Sequence, residues 1–215
     1  MSLTSPNAHI FFIGGAADQE PYYLIGPLRH INLARQKFLL SLQKEFGSTE
    51  RIFIHTYGYN RIYRPEDIEK NVIAKLKPTD YIYLIGHSLG GWNAAHLSRI
   101  LRDNGFRVRI LVTLDPVGEG TLVWLGSNIH RHPQSEPHAD FWINIRAEIK
   151  RLTISDVVAR AGQQWTIKQG PDLNEVIYTA HANALHLFRQ KLSTGLSAMD
   201  YILQNLKQNL PLVSA

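Results

Sequence analysis

The first place in this sequence where chemistry could start is a serine fenced by glycines. Residues 80–96 read DYIYLIGHSLGGWNAAH, a run of apolar β-formers that stops at Gly86-His87-Ser88-Leu89-Gly90 and turns into helix-forming sequence. A G-x-S-x-G corner between strand and helix holds its serine in strained backbone and brings chain segments so close that side chains at the flanking positions would collide. Glycine at 86 and 90 removes that collision. The corner lifts the hydroxyl over the carboxyl edge of a sheet and aims the first helical amides at the same spot, where they stabilise negative charge. A packing turn capped by Ser88 would use some of the same residues, but Gly91, Ala94 and Ala95 also keep the following helix small where it meets the corner. The chemistry to look for is acyl transfer, in which a base takes the serine proton and a third group orients the base.

Carboxylates and histidines that could serve are limited in number. Asp115 follows VRILVTL at a strand's carboxyl end, where Pro116 stops the ladder. Glu148, after FWINIRA, and Asp156 and Asp172, in later loops, compete with it. Among ten histidines, His181 follows VIYTA and precedes the helix-like ANALHLFRQ, whereas His186 lies five residues on and faces a different way. An oxyanion needs at least two donors in place beforehand. The Leu89 amide is one, and FFIGGAADQ offers the amides of Gly15 and Ala16, with Gly14 permitting the bend. His87, Tyr57 and Trp124 are the candidates for contact with substrate. The apolar stretches EPYYLIGPL and TLVWLG read equally as walls of an acyl groove, a lid or satellite core.

A rival chemistry lies in HRHPQSEPHAD, where His130, His132, His138 and Asp140 fall within one loop and could gather around zinc. Metal ligands normally sit on preorganised elements with supporting partners, and this loop has two prolines and no evident scaffold. A solvated loop is expected instead, with no metal and no cofactor.

Strands and helices must alternate to position these groups, and the sequence does alternate. HIFFIGG, RIFIHTYG, YIYLIG and VRILVTL are short and apolar nearly throughout, with helices expected across Leu28 to Phe46, Glu66 to Leu76 and about Gly90 to Asn104. Strands of that kind are covered on both faces, which predicts an α/β fold with a mostly parallel sheet between helical layers. Gly47 and Gly105 stand where helices should stop, and Pro65 stands where one should open. Beyond the long connection after Asp115, FWINIRAE and VIYTA read as strands and residues 182 to about 206 as a long amphipathic segment.

The GHSLGG corner in this setting resembles the nucleophile elbow of the α/β-hydrolase superfamily, of the serine esterase and lipase type, and the alternation from His9 to about His186 is similar to that fold. The resemblance implies a chain order of nucleophile, acid and histidine, hence Ser88, Asp115 and His181, with LDPV similar to the acid-bearing turn of pancreatic-type lipases. It also implies one compact α/β-hydrolase domain over 1–215, no cofactor, and hydrolysis of carboxylic esters through an acyl-enzyme. Lipid or phospholipid acyl esters lead among substrates. Thioesters and amides use the same apparatus, and a binding module could keep the fold without the activity.

Composition sets the outer limits. At 215 residues the chain fits one domain, and 44% hydrophobic with 19% charged residues is ordinary for a globular protein. With no cysteine, neither disulfides nor thiolate metal sites arise. The net charge of +5 is scattered through helical stretches and no nucleic-acid reader motif accompanies it, so no nucleic acid is expected, while peripheral contact with an anionic membrane is. No run approaches the roughly 20 apolar residues of a spanning helix. The opening MSLTSPNAHIFFIGG lacks a basic leader region, so a cytoplasmic protein, or one exported without a cleavable signal, is expected.

Overall fold

Six apolar runs pair into one sheet, and every neighbouring pair is parallel. The computed structural model describes residues 5–18, 28–46, 48–120, 136–149 and 154–210. The strands are β1 (Ala8–Gly14), β2 (Ile52–Gly58), β3 (Tyr81–His87), β4 (Val108–Leu114), β5 (Phe141–Glu148) and β6 (Leu173–Tyr178), in the spatial order β2-β1-β3-β4-β5-β6. β1 is buried along its whole length, as an apolar strand with neighbours and helices on all sides must be. Successive side chains point to opposite faces, so Phe12 joins Phe38, Tyr83 and Phe188 in one core, while Phe11 joins Leu84, Trp92 and Leu97 in the other. Each large apolar side chain removed from water in this way contributes roughly 1.5–3 kcal/mol.

Helices cover both faces: α1 (Arg29–Glu45), α2 (Pro65–Asn71), α3 (Leu89–Asp103), α4 (Ile154–Ala161), α5 (Ala184–Arg189) and α6 (Ala198–Asn209). The sheet order, the wholly parallel pairing and the helix that follows β3 directly make this a compact α/β-hydrolase fold. Pro65 opens α2 as its first residue, and Gly105 ends α3 in left-handed backbone at φ 81°. Gly47 lies outside the described residues.

The structure departs from the sequence reading or refines it in three places. The segment 182–206 is two helices, because the chain turns between Leu192 and Leu196 around left-handed Gly195, and Ser197 with Asp200 then forms a capping box that starts α6 afresh. The helix expected to reach Leu76 stops at Asn71 and continues only as a 3-10 turn over Ile73–Lys75. α4 was not anticipated at all. Among the described residues no helix is long and apolar enough to cross a membrane.

Candidate active site

The site grows from the parallel register of the three central strands. Ile13 of β1 lies opposite Gly86 of β3, and His87 of β3 lies opposite Leu114 of β4, so the chain leaves all three strands at one level. Ser88 follows with φ 57° and ψ −128°, a conformation that costs a non-glycine residue about 1–3 kcal/mol. Surrounding bonds hold it there: its amide donates to the Leu114 carbonyl at 3.0 Å, and its carbonyl accepts from Gly91 at 2.9 Å and Val117 at 3.1 Å. The glycines are steric necessities. A β-carbon at residue 86 would lie 2.3 Å from the Gly90 carbonyl oxygen, and one at 90 would lie 2.2 Å from that of Ile13.

Ser88 Oγ lies 3.0 Å from His181 Nε2, and His181 Nδ1 lies 2.5 Å from Asp115 Oδ2. Facing a carboxylate, Nδ1 carries the ring proton and donates it, which leaves Nε2 to accept from the serine hydroxyl. Asp115 is wholly buried and takes left-handed backbone at φ 44°. Its Oδ1 accepts from the Ala147 amide at 2.9 Å and its two oxygens accept from Gln164 Nε2 at 2.8 and 2.9 Å. These bonds aim the carboxylate and satisfy its remaining acceptor capacity.

The competing acids have other work. Asp156 accepts from the His181 backbone amide at 2.8 Å, so it fixes the loop that bears the imidazole while the ring itself faces Asp115. Asp172 accepts from the Trp142 amide at 2.7 Å, and Glu148 pairs with Arg146. His186 projects from α5 into a groove with Arg189.

Beneath the elbow lies a second buried layer. His87, named above for substrate contact, is only 3% exposed and its Nε2 donates to the His181 carbonyl at 2.7 Å, so it supports the histidine loop. Burial, reinforced by the nearby His181, holds the His87 imidazole well below its ordinary pKa, consistent with a neutral ring donating through Nε2. Its Nδ1 has no hydrogen-bond partner and faces Asp18 Oδ2 at 4.0 Å. Asp18 accepts from the His30 amide at 2.8 Å and the Ile31 amide at 3.3 Å, tying the GGA turn to the start of α1. Burial nonetheless raises its pKa.

The GGA turn itself presses on the serine. A β-carbon at Gly15 would lie 2.6 Å from Ser88 Cβ and 2.9 Å from Oγ, so only glycine lets this backbone come so near. The Gly15 carbonyl accepts from the Asp18 amide at 3.1 Å, which closes the turn. Exposed Ala16 opens a 3-10 turn at Ala16–Asp18, and Leu89 opens α3 directly after the serine. Leading amides of helical turns have no partner within their own turn, and Ala16 and Leu89 stand at those leading positions.

Tyr57 packs its ring on the second core, and its hydroxyl donates to the Asn71 carbonyl at 3.2 Å. Trp124, His130 and His132 lie outside the described residues. Asp140 pairs with Arg107 at 2.8 Å and Arg109 at 2.9 Å, and among the described residues no cluster of three or more potential ligands could hold a metal ion. Sequence reasoning missed Gln164 and Asp18. Nothing local marks Gln164, while Asp18 is legible in principle as an acid set into an otherwise apolar turn.

No protein-family model matches the chain, and no curated protein matches it either. Among solved structures it is similar to the Vlm2 thioesterase domain with genetically encoded 2,3-diaminopropionic acid bound with a dodecadepsipeptide, at 14% identity and TM-score 0.43 over 97% of this chain and 94% of that one. It is also similar to YbtT, a type II thioesterase from the yersiniabactin NRPS/PKS biosynthetic pathway, at 12% identity and TM-score 0.41 over 96% and 94% of the respective chains.

Proposed function

We propose that this protein is a serine hydrolase that cleaves carboxylic esters through an acyl-enzyme, with lipid or phospholipid acyl esters as its principal substrates. The observation that carries the reading is the unbroken chain of hydrogen bonds from Asp115 through His181 to Ser88, at 2.5 and 3.0 Å. His181 Nε2 takes the hydroxyl proton as Ser88 Oγ attacks the ester carbonyl, and the resulting oxyanion accepts from the Leu89 amide and from the GGA turn at Gly15 and Ala16. Asp115 stabilises the imidazolium, which then protonates the departing alkoxide. Water enters, gives its proton to His181, attacks the acyl-serine carbonyl and releases the carboxylic acid as Ser88 recovers its proton. The lipid preference is supported by the net charge of +5, which favours anionic surfaces, and by the resemblance of GHSLGG to lipase elbows.

Labelling with a fluorophosphonate tests the nucleophile directly. The folded protein should be labelled once, and Ser88→Ala should abolish labelling and lower ester turnover by roughly 10,000-fold to 1,000,000-fold. Near-normal hydrolysis by Ser88→Ala would overturn the mechanism. Product analysis across ester chain lengths, matched thioesters and phospholipids then reads out which acyl bond is preferred.

A further inference from the structure

A groove of about 500 Å³ opens beside the loop that carries His181, between α1 and α5. Arg29, His30 and Leu33 line it from α1, and Leu185, His186 and Arg189 line it from α5, with Ala182 at the end nearest His181. Positions 29 and 33, like 185 and 189, are one helical turn apart, so each pair presents to the same side. Two guanidinium groups and two imidazoles therefore face one space, and no carboxylate is among the described residues lining it.

Helix stability does not account for this charge. Arg29 is the first residue of α1, at the positive end of the helix dipole where an acid is favoured, and that first turn contains no acidic residue. Among the described residues neither Arg29 nor Arg189 has a carboxylate within ion-pair distance. Leu33 and Leu185 add apolar flanks suited to the hydrocarbon part of a ligand. Arginine forks arriving from two helices suit a tetrahedral phosphate, whose several oxygens accept from both, better than a planar carboxylate that one fork saturates.

We propose that this groove binds the phosphate of an acyl ester whose carbonyl lies at Ser88. The inference rests on the serine hydrolase reading and names its substrates as phosphate-bearing acyl esters. The spacing is short: the His30 ring lies 6.1 Å from that of His87, which lies 4.9 Å from that of His181. Ala182, the residue after His181, lines the groove, so the groove adjoins the loop whose imidazole faces the serine.

The test compares hydrolysis of dihexanoylglycerol phosphate with that of dihexanoylglycerol, both monomeric, by the wild type and by Arg29→Gln/Arg189→Gln. The ratio of kcat/KM for the phosphate ester to that for the neutral ester should fall about tenfold or more in the double variant, while Arg29→Lys/Arg189→Lys should retain part of it as point charges. A fall seen with monomers assigns a free phosphate ester. A fall seen only when long-chain diacylglycerol phosphate is presented in vesicles assigns a bilayer headgroup, and either result supports the groove. In parallel, inorganic phosphate is titrated into Ser88→Ala protein while the histidine ring resonances are followed by NMR. Shifts at His30 and His186 that vanish when both arginines become glutamine support the groove even if no ester is cleaved, an outcome that would remove the hydrolase reading alone. Ester hydrolysis with an unchanged ratio and no resonance shift would overturn the groove and leave the hydrolase reading standing.

Discussion

Two of the aspartate-histidine contacts around this sheet lie at its opposite ends and differ in what stands beyond the imidazole. At the carboxyl edge Asp115 meets His181, whose far nitrogen faces Ser88. Nearer the amino ends of the strands Asp80 Oδ2 lies 3.4 Å from His9 Nε2, and His9 Nδ1 lies 3.1 Å from His55 Nε2. The second chain of groups ends in an imidazole stacked on Phe11 with ring centroids 4.5 Å apart, and among the described residues no strained nucleophile contacts it. Asp80 instead accepts from the Asn7 amide at 3.0 Å and the Lys77 amide at 2.9 Å, fastening the segments before β1 and β3. A carboxylate-imidazole contact is thus a means of orientation. Whether it orients a base or a loop depends on what stands beyond the ring.

Paired substitutions break the comparison most sharply. Asp115→Asn should lower kcat for ester hydrolysis by roughly a thousandfold to ten-thousandfold with little change in unfolding midpoint, since the amide favours the wrong tautomer at His181. Asp80→Asn should do the opposite, lowering stability by about 1–3 kcal/mol in urea titration while folded molecules keep their turnover within about twofold. Equal kinetic losses in the two variants would erase the distinction.

A second contrast is steric. Gly90→Ala should destabilise by about 3 kcal/mol or more, because the new carbon meets the Ile13 backbone, which cannot rotate away. At Gly105 nothing lies within 4 Å of an added β-carbon, and only the left-handed φ of 81° opposes it, so Gly105→Ala should cost about 1 kcal/mol. Denaturant midpoints of the two variants measure the difference.

The smallest expected effect is on acid stability. Burial lowers the pKa of His55 to about 4, with His9 and Lys75 adding to the shift, and burial lowers that of His9 as well. The unfolded chain then binds more protons than the folded one between about pH 6.5 and about 4, so stability should fall as pH falls through that window. Asp18, raised by burial, works in the other direction. His55→Gln should flatten the fall in Tm between pH 7 and 4.5 by a few degrees, a modest figure because His55 is only partly buried and solvent screens its charge.

What is legible in the sequence tracks what local geometry demands. The elbow can be read because glycines at 86 and 90 answer to contacts within a few residues or with the adjoining strand. The chain positions of Asp115 and His181 can be read because each lies just past the carboxyl end of a strand, the first largely apolar and the second ending in VIY. The supports escape, since Gln164 reaches Asp115 across 49 residues and Asp156 reaches the His181 amide across 25. Tyr57 has the composition of a cleft residue, yet packing turns its hydroxyl toward Asn71. The break between α5 and α6 was readable in part: Ser197 and Asp200 carry the capping spacing, although the amphipathic pattern on either side masks it.

The distance between serine and histidine along the chain has a consequence for biosynthesis. Ser88 precedes His181 by 93 residues, and Asp156, which anchors the His181 amide, also comes late. Translation therefore delivers the elbow and its acid well before the imidazole. A nascent chain ending short of β6 would carry the strained serine with no base to activate it, and reactivity would arrive only as the last edge strand and the two closing helices dock.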